Sequence, residues 1–120
     1  MDTHILIWWY EENKSLTSVQ KTVIGNGKNE IFLSVVNAWE MSIKIQKGTL
    51  QAKNELSTYF TEGDFHILPV ALQHVMTVNS LPMEHKDPFD RMLVAQALVE
   101  GCTLITSDKK LHAYRVPILE

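Results

Sequence analysis

The sequence predicts an α/β fold in which a short, mainly parallel central sheet is flanked by helices. Two short apolar segments, 31–35 and 103–106, have the length and the β-branched residues of buried strands. Around them lie segments whose apolar residues recur at helical spacing, bounded by capping residues and glycines. Because strands that alternate with helices form parallel sheets with covered faces, we expect helices on both sides of the sheet.

Length and composition limit the possible functions. A chain of 120 residues suits one domain, which we expect to span residues 1–120 around a single core. The formal charge of −3 excludes a global basic surface, so any contact with nucleic acid must come from a local patch. The one cysteine, Cys102, excludes an internal disulfide and a thiolate zinc cluster, and it indicates a cytoplasmic protein. The apolar segment 5–10 is too short to span a membrane.

Helices are predicted where apolar residues at helical spacing lie between capping residues or glycines. The predicted helices are 5–9, 17–27, 36–47, 54–60, 71–79 and 88–100, followed by a last turn after Ser107 and Asp108. A third strand is predicted over 65–70, with Pro69 at a strand end or a sheet edge. In helix 36–47 the apolar positions 36, 39 and 43 form one stripe, with Glu40 on its flank and one turn from Lys44.

The stretch 85–91, His-Lys-Asp-Pro-Phe-Asp-Arg, begins the most clearly marked helix. Asp87 can cap the free amides, Pro88 suits the first helical position, and Gly101 ends the helix. Asp90 heads the face that continues through the apolar positions 93, 94 and 97, so we expect its carboxylate to point toward the core side. A carboxylate in that position needs a partner.

Four acidic residues are predicted to meet at one edge of the sheet. Glu40 and Asp108 follow predicted strands, Asp90 heads a helix that starts at the same edge, and Asp2 joins them if a strand ends there. Two carboxylates about 4 Å apart repel by roughly 4 kcal/mol at an effective dielectric near 20, so a cation has to compensate them. All-oxygen ligands favour Mg²⁺ or Mn²⁺, and such an ion supports hydrolysis of phosphodiester bonds.

Each acidic residue also has a simpler explanation. Glu40 could only pair with Lys44, and Asp90 could only interact with the helix dipole. Asp108 could only cap the last turn, and Asp87 is foremost a capping residue. The hypothesis of a metal site therefore depends on the joint pattern.

Aromatic and histidine side chains near the predicted cleft are ambiguous. His4 and His85 flank the cleft and could touch a substrate, but packing or helix capping explains them at least as well. Packing in the core or at a subunit interface is favoured over base stacking for the three tryptophans, Trp8, Trp9 and Trp39.

Four segments in order along the chain carry a family resemblance: Asp2-Thr3-His4 with Trp8, Trp39-Glu40 with Lys44, the stretch 85–91, and Thr106-Ser107-Asp108. Together they resemble the PIN domain of VapC-like ribonuclease toxins. The resemblance implies a PIN-like three-layer fold and a Mg²⁺- or Mn²⁺-dependent endoribonuclease acting on RNA. It also implies a small antitoxin protein that blocks the site, and a homodimer. The family's four acidic residues, its catalytic metal ligands, fall on Asp2, Glu40, Asp90 and Asp108.

The resemblance also suggests supporting roles. Thr3 and Thr106 would be hydroxyls that orient the carboxylates, with Asp87 beside them. The basic side chains near the site are candidates for phosphate contacts, and they are Lys44, Lys86, Arg91, Lys109 and Lys110.

The start of the chain departs from the family pattern. In the family the first acidic residue ends a short apolar strand at the centre of the sheet, whereas only Met1 stands before Asp2. We expect that the true start lies upstream. The alternative is a truncated first strand, in which the ammonium group of Met1 would compete with the cation for Asp2. A truncated strand would favour a catalytically weak or inactive PIN-like protein that binds a partner. A phosphatase or receiver-like domain is disfavoured, because no Asp-x-Asp pair follows a strand.

Overall fold

The computed structural model describes all 120 residues, and its elements follow the predicted order. The helices are α1 Thr3–Glu11, α2 Ser18–Gly25, α3 Val35–Gln46, α4 Thr58–Thr61, α5 Leu72–Ser80 and α6 Pro88–Glu100. The strands are β1 Phe32–Ser34, β2 His66–Leu68, β3 Leu104–Ile105 and β4 Ile118–Leu119, with a 3-10 helix, Lys109–Ala113, before β4. None of the helices has both the length and the apolar character needed to cross a bilayer.

Capping side chains fix the ends of two helices where the sequence predicts them. Thr17 and Gln20 form the capping box of α2. Asp87 Oδ1 accepts hydrogen bonds from two amides in the first turn of α6, at 2.8 and 3.3 Å. Gly101 ends α6 with a φ of 67°, a left-handed conformation that costs little without a Cβ. A side-chain cap stabilises a helix by about 1 kcal/mol, so these local signals are sufficient to place α6 in the chain.

The strands form two parallel pairs, β1 with β2 and β3 with β4, and residues 1 and 2 lie between them. The backbone nitrogen of Met1 donates to the carbonyl of Phe32 at 3.1 Å. The amide of Asp2 donates to the carbonyl of Ile105 at 2.9 Å. The first two residues thus connect β1 to β3 by strand-like hydrogen bonds, and this places Asp2 beside the end of β3.

A groove of about 670 Å³ continues between β1 and β3 beyond Met1. Its walls come mainly from apolar side chains of β1, α6 and β3, among them Phe32, Leu93 and Leu104. Both backbone groups of a strand residue point to the same side. The carbonyls of Phe32 and Ile105 face residues 1 and 2. The amides of Phe32 and Ile105 therefore point to the same side and face the groove.

Helices cover both faces of the strands, which confirms the predicted three-layer arrangement. One apolar cluster lies among α1, α2, α3, α4 and β1 and includes the fully buried Tyr59. A second cluster lies among α6, β3 and the 3-10 helix and includes Val94. Adjacent strand residues point to opposite faces, so Ile105 belongs to the first cluster and Leu104 to the second. The core is therefore two-sided, and the expectation of a single core is wrong because the strand layer divides it.

Two details of the helices also differ from the prediction. Helix 54–60 is confined to α4, Thr58–Thr61. In α3 the predicted stripe is wrong at Trp39, which is 60% exposed, whereas Asn37 and Glu40 are buried. Apolar spacing alone cannot place these two polar side chains, because they are buried through hydrogen bonds to α1, an element distant in sequence.

Candidate metal centre

Two carboxylates and one imidazole converge where α6 begins and β3 ends. His85 precedes α6, Asp90 lies in its first turn, and Asp108 caps the 3-10 helix after β3. One ligand atom from each residue lies within 4.8 Å of the other two. His85 Nε2 is 2.9 Å from Asp90 Oδ2 and 3.7 Å from Asp108 Oδ2. The Asp108 side chain is 34% exposed, against 13% for Asp90, so the cluster opens to solvent on the Asp108 side.

Asp2 is not a member of this tight group, but its charge acts on Asp90, and hydrogen bonds at both carboxylate oxygens fix its orientation. Thr106 Oγ1 donates to Asp2 Oδ2 at 2.7 Å, and the His4 amide donates to Asp2 Oδ1 at 3.0 Å. The same Thr106 oxygen accepts the amide of Asp108 at 3.0 Å. One buried hydroxyl thus links the backbone of Asp108 to the carboxylate of Asp2.

Glu40 is buried near the cluster, but both of its oxygens are already paired. Thr3 Oγ1 donates to Oε1 at 2.6 Å, and Lys44 Nζ donates to Oε2 at 2.7 Å. Asn37 Nδ2 donates to Thr3 Oγ1 at 3.0 Å and holds the hydroxyl in place. The hydrogen bond to Glu40 raises the pKa of Lys44, so this lysine is a counter-charge for Glu40. Each Glu40 oxygen thus has one hydrogen-bond partner, and the Lys44 side chain remains 37% exposed.

The carboxylates leave uncompensated negative charge at Asp90. Burial raises the pKa of Asp90 to about 6, reinforced by the charges of Asp2, Asp87 and Glu40, while the hydrogen bond with His85 acts in the opposite direction. Burial would also raise the pKa of Asp2, but the contacts with His4 and Thr106 outweigh it and lower that pKa. A divalent cation is the charge that such a cluster can accommodate.

The donor atoms fit a divalent cation. Carboxylate oxygens are the ligands that Mg²⁺ and Mn²⁺ share, and an imidazole is a common ligand of transition metals. Asp90, Asp108 and His85 form the tight group, and Asp2 lies beside them with its carboxylate fixed by Thr106. These residues would hold the ion, and Glu40 lies outside the tight group, paired with Thr3 and Lys44.

The structure corrects the expected role of Arg91 as a phosphate contact. Arg91 is buried, and its guanidinium donates to the carbonyls of Pro82 at 2.7 Å and Val78 at 3.1 Å and to Tyr114 Oη at 3.1 Å. Successive helical residues point about 100° apart, so the neighbour of Asp90 faces away from the cleft. Arg91 instead fixes the segment that precedes α6.

The remaining predicted residues lie at the surface or at helix ends. Asp87 caps α6, which leaves its charge close to Asp90. Lys109 begins the 3-10 helix directly after Asp108 and is exposed, as are Lys86 and Lys110. These three lysines are exposed near the cluster, and the side chain of Lys44, although paired with Glu40, is 37% exposed.

Of two further residues that support the site, only one has a local signal in the sequence. Asn37 stands three positions after Ser34, a spacing that matches a capping box, and its Oδ1 accepts the Ser34 amide at 2.9 Å. Tyr114 has no local signal of this kind, because its hydroxyl contacts residues 23 and 29 positions earlier.

Comparison with known proteins identifies the family of the chain. The PIN domain family model matches residues 1–117. Ribonuclease VapC22 from Mycobacterium tuberculosis (strain ATCC 25618 / H37Rv) is 21% identical over 120 residues, which cover 98% of this chain and 92% of that protein. The crystal structure of VapBC2 from Rickettsia felis bound to a DNA fragment from their promoter is similar in fold, with a TM-score of 0.72 and 17% identity over 99% of this chain and 94% of that chain. The chain therefore belongs to the PIN domain family.

Proposed function

We propose that this protein is a metal-dependent endoribonuclease toxin that hydrolyses phosphodiester bonds of RNA. The convergence of Asp90, Asp108 and His85, with Asp2 oriented beside them by Thr106, is the observation that carries the proposal. The relationship to a protein named Ribonuclease VapC22 supports the choice of RNA over other phosphodiesters.

The chain's own residues would divide the work. A Mg²⁺ or Mn²⁺ ion, when bound, supplies activation of water and compensation of charge on the phosphoryl group. Asp90 and Asp108 would hold the ion, and Thr106 keeps the Asp2 carboxylate in a fixed orientation. Thr3 and Lys44 hold Glu40, whose charge adds to the negative potential at Asp90. The exposed Lys109 would contact a phosphate of the substrate.

A protein partner is part of this proposal. One structural relative is VapBC2, solved on a DNA fragment from their promoter, and this supports a small antitoxin that neutralises the present chain. We also propose a homodimer, as in the family that the sequence resembles.

Cleavage of RNA by purified protein tests the enzymatic part. With Mn²⁺ or Mg²⁺ present, Asp90→Asn should reduce cleavage by more than about 100-fold, since a ligand contributes more than the residues that orient it. Asp64→Asn is the matched control, because this exposed aspartate precedes β2 at the opposite edge of the strands. Equal cleavage by the wild type and Asp90→Asn would contradict the proposal and favour an inactive PIN-like protein that binds a partner.

A further inference from the structure

We propose that His85 is a nitrogen ligand of this metal centre and that it makes the centre select Mn²⁺ over Mg²⁺. The inference rests on the function proposed above and specifies which ion the site takes. Packing and helix capping are the alternative explanations for His85 at this position.

The contacts of the imidazole favour a ligand over a cap. The cap of α6 is Asp87, and His85 stands two positions before it. The polar contacts of the His85 ring are Asp90 Oδ2 at 2.9 Å and Asp108 Oδ2 at 3.7 Å, both through Nε2. Its side chain is only 12% exposed, so Nε2 is directed at the two carboxylates and is largely shielded from solvent.

The backbone of His85 is fixed by hydrogen bonds to a buried side chain from the end of the chain. The His85 amide donates to Tyr114 Oη at 3.1 Å, and the Tyr114 hydroxyl donates back to the His85 carbonyl at 3.4 Å. Arg91 Nη1 donates to the same Tyr114 oxygen at 3.1 Å, and both side chains are buried. Arg91 and Tyr114 therefore act as positioning residues that hold His85 over Asp90.

The chemistry of the three ligands sets the preference for the ion. Mg²⁺ loses its water reluctantly, prefers oxygen ligands and demands near-octahedral geometry. Imidazole is a ligand of transition metals, and Mn²⁺ is the only transition metal of the two candidate ions, so a nitrogen ligand favours Mn²⁺ over Mg²⁺. Asp90 and Asp108 alone would serve either ion, so His85 is the member of the cluster that discriminates between them.

Metal titration of the full-length protein tests the selectivity. His85→Gln should weaken Mn²⁺ binding by about 10- to 100-fold, while Mg²⁺ binding stays nearly unchanged and the ratio of the two dissociation constants collapses. His112→Gln is the matched control, because His112 is an exposed histidine that pairs with Glu120. Equal weakening for both ions, or no weakening for either, would overturn the proposal.

Pulsed electron paramagnetic resonance of the Mn²⁺-loaded protein detects the ligand directly. The wild type should show coupling of Mn²⁺ to a ¹⁴N nucleus, and His85→Gln should lose it. Persistence of that coupling in His85→Gln would show that another group supplies the nitrogen.

Two further variants separate the possible failures. Tyr114→Phe keeps the imidazole but removes the hydroxyl that holds its backbone, so the Mn²⁺ preference should fall although both aspartates remain. An unchanged preference in Tyr114→Phe would contradict the positioning role, whether or not His85→Gln folds. Asp90→Asn should abolish binding of both ions. If it does not, the proposed nuclease centre fails; if it does while His85→Gln keeps its selectivity, only the role of His85 fails.

Discussion

The hydroxyl of Thr106 donates a 2.7 Å hydrogen bond to Asp2, a residue 104 positions away in the sequence. Thr106 is fully buried, so the pair is shielded from competition by water. This contact joins the beginning of the chain to the end of β3 and gives the Asp2 carboxylate a single orientation beside the candidate metal centre.

Removal of this hydroxyl should affect both stability and activity. Thr106→Val leaves buried acceptor and donor groups unpaired at Asp2 and Asp108, so we expect a loss of about 1 to 3 kcal/mol in the free energy of unfolding. Metal-dependent cleavage should fall by about 10- to 100-fold. Urea denaturation and an RNA cleavage assay measure the two effects. Thr106→Ser keeps the hydroxyl and serves as the control; equal losses in both variants would disprove the role of the hydrogen bond.

The raised pKa of Asp90 makes the stability of the metal-free protein depend on pH. The pKa of Asp90 rises from 3.8 in the unfolded chain to about 6 in the folded protein, so the folded state binds the proton more tightly. The contribution of protonated Asp90 to stability is therefore lost as the pH rises from 3.8 to about 6. Asp90→Asn should therefore be more stable than the wild type by about 1 to 2 kcal/mol above about pH 7, after allowance for partial solvent screening. The advantage should disappear near pH 4. Chemical denaturation with chelator at both pH values checks this, and a constant difference would refute it.

Glu40 should matter less for metal binding than Asp90. Both oxygens of Glu40 are occupied by Thr3 and Lys44, whereas Asp90 points into the three-ligand cluster. We expect Glu40→Gln to weaken Mn²⁺ binding by about tenfold, through loss of nearby negative charge. Asp90→Asn should remove binding altogether in the same titration. If Glu40→Gln proved as damaging as Asp90→Asn, Glu40 would have to be a direct ligand that releases Lys44.

Substitution of Arg91 should affect folding stability, whereas substitution of Lys109 should affect RNA binding. Arg91→Gln removes a buried guanidinium that donates to two carbonyls and to Tyr114, so the free energy of unfolding should fall by about 2 to 4 kcal/mol.

Lys109→Ala should change stability by less than about 0.5 kcal/mol, because Lys109 is exposed. Weaker RNA binding with a shallower dependence on salt is expected for Lys109→Ala. A salt dependence identical to that of the wild type would exclude Lys109 as a phosphate contact.

The groove between β1 and β3 should accept an added strand. An apolar extension of about five residues fused to Met1 would place backbone carbonyls opposite the amides of Phe32 and Ile105 and would bury apolar surface at about 25 cal/mol per Å². The melting temperature and Mn²⁺-dependent cleavage should both rise. The control is a glycine-serine extension of equal length, and equal behaviour of the two fusions would show that the groove has no preference for an apolar strand. Slower amide exchange at Phe32 and Ile105 would localise the effect.

The sequence by itself determined the order of the elements and the ends of the best-marked helices. Asp87, Pro88 and Gly101 define α6 because caps and backbone preferences act within a few residues. The sequence also placed Asp90 on the inward face of α6, since the positions that follow it on that face, 93, 94 and 97, are buried. β4 escaped prediction because Pro117 interrupts its apolar segment, whereas β3, equally short, lies in an uninterrupted stretch of β-forming residues.

Only the tertiary structure decided which polar side chains meet. Trp39 is exposed although the apolar stripe predicted it to be buried, and Glu40 is buried because Thr3, from a different helix, supplies its partner. Arg91 turns away from the cleft because carbonyls of the preceding segment and Tyr114 satisfy its donors. A buried charge takes whichever partner folding brings within hydrogen-bonding distance, and that distance is set by packing between elements far apart in the chain. For the same reason His85 joins Asp108, a contact that no local pattern in the sequence encodes.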